Sequence, residues 1–176
     1  MPLRPLGATT KVELDRASRH HRPLSKIERW SAIPLRLVVG YGFMAHGYAK
    51  MVKGPENFIG ILHALGVPAP GFMGWATILV ELVGGFAVLT GAFIPLVSLP
   101  MAAILLVAAL RVHLPYGFSS IKLQAVTAAG AQFGKPGYEI DLLYLACLAT
   151  LLLGESGPFS VDWLFAKLKR RREVRQ

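Results

Sequence analysis

Four apolar blocks, roughly 31–50, 72–93, 95–114 and 139–154, dominate this chain of 176 residues. The first three are close to the ~20 residues that cross a bilayer, longer than an ordinary core helix needs. Backbone amides in hydrocarbon find no water, so such blocks must fold as helices packed against one another. Composition agrees, with 53% of residues hydrophobic and only 16% charged. The sequence therefore predicts an all-α protein, an integral membrane four-helix bundle with short interfacial amphipathic helices.

The net charge of +9 is concentrated in two tails. One carries Arg4, Lys11, Arg16, Arg19, Arg22, Lys26 and Arg29; the other carries Lys167, Lys169, Arg170, Arg171, Arg172 and Arg175. Positive charge flanking apolar blocks sets topology and attracts anionic lipid, which argues against a nucleic-acid partner. Two basic tails on one side require an even number of spans, so both termini are expected in the cytoplasm and both longer loops outside. Residues 1–30 are expected to be a partly disordered basic tail, 31–157 the membrane domain, and 158–176 an interfacial helix with a second basic tail. Phe58, Ile61, Leu62 and Leu65 fall at i, i+3, i+4 and i+7, which predicts a short amphipathic helix lying flat on the membrane. Gly66, Pro68 and Pro70 stop it. Pro100 is expected to bend the third span. Residues 115–138 read as a longer loop of the kind that binds or covers a site.

Polar residues inside the blocks point to an internal site. At 100° per residue, Arg36, Gly40, Phe43, Gly47 and Lys50 share one stripe of the first block, with His46 at its edge. Charge at bilayer depth is costly, so this stripe should face a bundle interior or a wet cavity. Glu81 lies near the middle of the second block and must be protonated, paired or hydrated there. Gly74, Gly84 and Gly85 share its face and invite close helix packing. Arg111 and His113 close the third block, and Glu139 and Asp141 open the fourth. Placed at 1.5 Å per residue, all of these except Arg36 lie toward one side of the membrane.

These groups suit a lipophilic quinone. It enters from the bilayer, its carbonyl oxygens need donors such as His and Lys, and its redox cycle needs proton exchange. The expected roles are Glu81 as proton-exchanging carboxylate, His46 as donor to a quinone oxygen, and Lys50 as its electrostatic partner, with His113 and Arg111 as further cofactor-binding candidates. No flavin, haem or metal motif is present. The single cysteine, Cys147, lies in an apolar run and reads as core, which excludes CxxC thiol exchange within one chain.

The order of short motifs is similar to the DoxX family of small bacterial membrane proteins. These are Arg36, Gly40 and Phe43 with the HG-x-x-K run His46, Gly47 and Lys50; the turn from Ala64 to Gly71; and E-x-x-G-G at Glu81, Gly84 and Gly85. His113, Gly137 to Glu139 and Gly157 to Asp162 continue it, so the resemblance spans about 31–165. It implies a four-helix protein of the bacterial inner membrane, associated with quinol oxidase or other membrane oxidoreductase systems. The thiol-redox relatives have cysteine pairs that this chain lacks. The leading expectation is a quinone-interacting subunit of an oxidoreductase assembly, receiving electrons from a partner redox protein and not acting as a stand-alone enzyme. The alternatives are a non-enzymatic scaffold that recruits a partner, with Glu81 paired to Lys50 or Arg36 to fix helix register, and a small-solute or proton conductor that would need to form a homo-oligomer.

Overall fold

The computed structural model describes residues 30–154, 157, 160–164 and 167. Of the tail expected over residues 1–30 only Trp30 is described, and it is helical; most of the interfacial helix expected over 158–176 lies outside the described residues, and of it 161–164 and 167 are helical.

Helix α1 spans Ala32–Val52 and α2 spans Pro55–Ala64. Helix α3 spans Pro70–Thr90 and α4 spans Ile94–Tyr116, each containing a non-α turn described below. Helix α5 spans Glu139–Leu153. The boundaries follow backbone chemistry. Gly54, at φ 92, breaks the chain between α1 and α2, and Pro55 opens α2 where its missing N–H costs nothing. Gly66 and Gly91, at φ 71 and 69, end α2 and α3 in the left-handed conformation. At α2 the N–H of Val67 reaches the carbonyl of Leu62 and that of Gly66 reaches His63. At α3 the N–H of Ala92 reaches Ala87 and that of Gly91 reaches Val88, the same double closure. Pro100 sits inside a helix that stays continuous from Ile94 to Ala108.

α1 packs against α3 and α5, and α4 packs against α5 and α3, so the four long helices form a ring. Its core contains Val39 and Phe43 of α1, Val88 of α3, Met101 of α4, and Leu148 and Leu151 of α5. The tightest approach is between two glycines: a Cβ on Gly40 would lie 2.7 Å from the Gly85 carbonyl oxygen, and one on Gly85 would lie 2.8 Å from the Gly40 oxygen. The other glycines expected on that face meet different neighbours, Gly84 the Met101 side chain and Gly74 the Ile59 side chain.

α3 and α4 are long and apolar enough to cross a membrane, and only 33% and 28% of their most apolar windows are buried. A soluble core helix would be mostly covered. Here Leu79, Val83, Phe86, Leu96, Leu99 and Leu110 face outward and are exposed, an apolar surface larger than water-soluble monomers tolerate. α1 matches them in length but carries Arg36, His46 and Lys50, and α5 has 15 residues.

The segment 115–138 corrects the all-α expectation. It holds an antiparallel hairpin, β1 Leu123–Thr127 and β2 Gly130–Phe133, with every strand residue exposed. Its turn is Ala128–Ala129, closed by Gly130 at φ 115. Such a turn lacks the Asn-Gly or Asp-Gly pair that marks a hairpin in sequence, and two alanines between short runs read as continuing loop.

Candidate functional site

Two helices depart from α geometry, and each departure carries a polar residue. Val80–Gly84 in α3 is a π turn that includes Glu81. Ala109–His113 in α4 is another and ends on His113. A π turn inserts one residue into the helix and re-aims the side chains around it, and such turns concentrate at functional sites. In this chain both turns present their polar residue to the same space.

That space is a cavity of about 350 Å³ between α1, α3, α4 and α5. Its polar lining is His46 and Lys50 of α1, Glu81 of α3, His113 of α4, and Asp141 and Tyr144 of α5. Phe43, Ile104, Leu105, Ala108 and Ile140 supply apolar walls, and Pro136 and Gly137 cover it at the hairpin end.

Two close polar contacts organise these groups. Lys50 Nζ donates to both oxygens of Glu81 at 2.6 Å, and Glu81 is only 4% exposed. The Lys50 ammonium also lies 4.8 Å from the centroid of the Phe58 ring, which ties α2 to the same corner. Across the cavity, His113 Nδ1 is 2.6 Å from Asp141 Oδ2, and Asp141 is 5% exposed. His46 is exposed at the edge of the lining and Tyr144 packs edge-on against Phe43, with ring centroids 5.9 Å apart.

The cover over the cavity is held by backbone. The N–H groups of Gly137, Tyr138 and Glu139 donate to the carbonyls of Ser119, Gly117 and Phe118. Glu139 Oε2 accepts from the Ser120 N–H at 2.9 Å, and Ser120 Oγ accepts from the Ile140 N–H at 3.2 Å. A Cβ on Gly137 would collide with the carbonyl oxygens of Gly117 and Phe118, so only glycine fits this crossing.

The structure thus brings together Glu81, His46, Lys50 and His113. It does not bring Arg111, whose Nη2 turns away to donate to the Leu65 carbonyl at 2.9 Å and so caps the end of α2. Arg36 is buried at the other end of α1. Its Nε donates to Val88 O at 3.3 Å and its Nη2 to Leu89 O at 2.9 Å, closing the last carbonyls of α3. Sequence reasoning placed Asp141 at the start of the fourth block without giving it a role, and did not single out Tyr144. Their spacing of i, i+3 at the start of α5 is the one local signal that they share a face. The two π turns have no signal in the sequence.

No curated protein and no solved structure matches the chain. One family model, DoxX, matches residues 31–114. The match contains His46, Lys50, Glu81 and His113 and stops before the hairpin, Asp141 and Tyr144; it is shorter than the stretch suggested by the motifs, leaving Gly137 to Glu139 and Gly157 to Asp162 outside it. With its apolar, outward-facing helices this is a membrane protein, and its residues 31–114 match the DoxX family model.

Proposed function

We propose that this chain is a multi-pass protein of the bacterial inner membrane whose cavity binds the ring of a lipophilic quinone, as one subunit of a membrane oxidoreductase assembly. The observation that carries this reading is the convergence of His46, Lys50, Glu81 and His113 on one cavity with apolar walls. Its volume of about 350 Å³ lies in the range of small-molecule sites, ~300–1,000 Å³. Apolar walls suit the faces of a ring, and polar groups at two sides suit its oxygens. Lys50 retains a donor hydrogen beyond its two bonds to Glu81. In this reading Glu81 exchanges protons and His46 and Lys50 serve one ligand oxygen. Electrons come from a partner redox protein.

All four long helices span the bilayer in this proposal. The charges that lower the hydropathy of α1 support it, because Arg36 and Lys50 are turned inward and satisfied. α5, about 22 Å long at 1.5 Å per residue, crosses by locally thinning the bilayer. The positive tails place both termini in the cytoplasm and the hairpin outside. A phosphatase reporter fused at the C-terminus that is active only outside the cell overturns this orientation.

The test of the site is quinone content. Protein purified in mild detergent is extracted with organic solvent and its quinone quantified, for wild type and Glu81→Gln. Near-stoichiometric quinone in wild type, lost in the variant with helicity intact, supports the site. Quinone at lipid background in both counts against it.

One observation favours a second reading. The double contact of Lys50 with Glu81 pins α1 to α3, as a scaffold that recruits a partner protein would need. Replacing both residues by methionine separates the readings: a scaffold keeps its partner in co-purification, whereas a quinone site loses its ligand.

A further inference from the structure

The His113–Asp141 contact places a hydrogen-bonding imidazole on the cavity that the Lys50–Glu81 pair also lines. An ionised carboxylate only accepts, so the ring nitrogen facing Asp141 Oδ2 at 2.6 Å carries the proton. In a neutral imidazole the other nitrogen, Nε2, is then an acceptor. Among the described residues Nε2 has no hydrogen-bond partner, and His113 lines the cavity. Lys50 is a donor, because it has an ammonium hydrogen beyond its two contacts with Glu81. With His113 neutral, the cavity offers a donor from α1 and an acceptor from α4, among apolar walls.

We infer that the cavity selects the hydroquinone form of its ligand over the oxidised quinone, with His113 Nε2 accepting a hydrogen bond from a ligand hydroxyl and Asp141 acting as the positioning residue that fixes the imidazole tautomer. A hydroquinone satisfies both sides: one hydroxyl donates to Nε2 and the oxygen of the other accepts from Lys50. An oxidised quinone has only acceptors, so one carbonyl would face the lone pair of Nε2. The same burial that keeps Asp141 at 5% exposure holds the carboxylate against the ring and leaves it no second task among the described residues. This inference rests on the reading of the cavity as a quinone site and adds a preferred redox state to it.

The experiment uses the full chain in mild detergent at neutral pH. Equilibrium dialysis measures affinity for a decyl-substituted benzoquinone and, under anaerobic reducing conditions, for its hydroquinone. Wild type is expected to bind the reduced form about five-fold more tightly, the scale of one neutral hydrogen bond. In Asp141→Asn, whose amide can present either a donor or an acceptor to Nδ1, the ratio is expected to fall toward one, and His113→Phe should do the same. Long-range proton–nitrogen NMR, with His113→Phe to assign the signal, should show His113 as the neutral Nδ1–H tautomer in wild type. Equal affinities for the two forms in wild type overturn the inference and leave the quinone site standing. So does a His113 signal from imidazolium or from the Nε2–H tautomer, a result read on the wild-type protein. An unchanged ratio in a helical Asp141→Asn overturns the role of Asp141. If wild type binds neither form, the quinone reading fails and the inference falls with it.

Discussion

Arg36 and Lys50 stand on the same stripe of α1, and the bundle treats them in opposite ways. Arg36 is 6% exposed and spends its guanidinium on the carbonyls of Val88 and Leu89. Around it the C-terminal segment closes in: Asp162 Oδ1 accepts from the Phe93 N–H at 3.2 Å, and a Cβ on Gly91 would sit 2.6 Å from the Ser160 Cβ and 2.7 Å from the Arg36 Cζ. Lys50 instead meets a side-chain carboxylate beside an open cavity. A cation held in a filled corner, with no space in front of it, is part of the frame. A cation paired to a carboxylate with open space in front of both can reach a ligand. The lesson is that a charge in an apolar helix marks a site only when the surroundings leave it chemistry to do.

Substitutions at the two ends should separate frame from site. The largest loss of stability is expected from Arg36→Met, which strands the Leu89 carbonyl, takes one of two donors from the Val88 carbonyl and removes the cation that faces Asp162. Leaving buried polar groups unsatisfied costs about 1–3 kcal/mol each, so the thermal midpoint of helicity in detergent should fall sharply while remaining folded protein keeps its ligand affinity. A large affinity loss with unchanged stability would erase the contrast. Gly137→Ala comes next, at about 1–3 kcal/mol for forcing a side chain into a packed crossing. It should open the cover, read as faster hydrogen exchange at Ser119 to Ser120 and Gly137 to Ile140, with α1 and α3 unaffected. Glu81→Gln should weaken ligand binding about ten-fold, equivalent to ~1.4 kcal/mol, with a smaller stability change than Arg36→Met, because Lys50 is at the cavity edge and can reach water. Arg111→Gln should be the mildest. Its exposed bond to Leu65 is worth about 0.5–1.5 kcal/mol at most, and ligand affinity should not move; a ten-fold affinity loss would return Arg111 to the site.

The helix pattern was legible because bilayer-length apolar blocks and proline or glycine stops are local. The first apolar block, 31–50, is helical as α1 at Ala32–Val52, and the fourth, 139–154, as α5 at Glu139–Leu153. The buried stripe of Arg36, Gly40, Phe43 and Gly47 follows directly from helical period. The site was only half legible. Lys50 and Glu81 are both conspicuous as charges in apolar runs, so their pairing was among the expectations. His113 and Asp141 are 28 positions apart across the hairpin segment, and nothing local predicts that they meet. Arg111 and His113, two residues apart, looked alike in sequence; the π turn that ends on His113 and the carbonyl of Leu65 send them to different places. The hairpin was missed because its turn lacks the residues that advertise one.

The π turn at Val80–Gly84 has a consequence for counting residues. It makes α3 a helix with two phases: Gly74 and Ile78 follow one angular register, and Gly85 and Val88 follow another offset by about one residue, or 100°. A wheel drawn through the whole helix from a single phase therefore mislabels one half. It also means that losing one residue from this turn would leave an unbroken, equally apolar α-helix of spanning length. Such a deletion would look harmless by hydropathy, yet it would rotate Glu81 relative to the Gly40–Gly85 contact and part it from Lys50. The site is thus written partly in the length of the chain, as an inserted position whose own side chain need not be special.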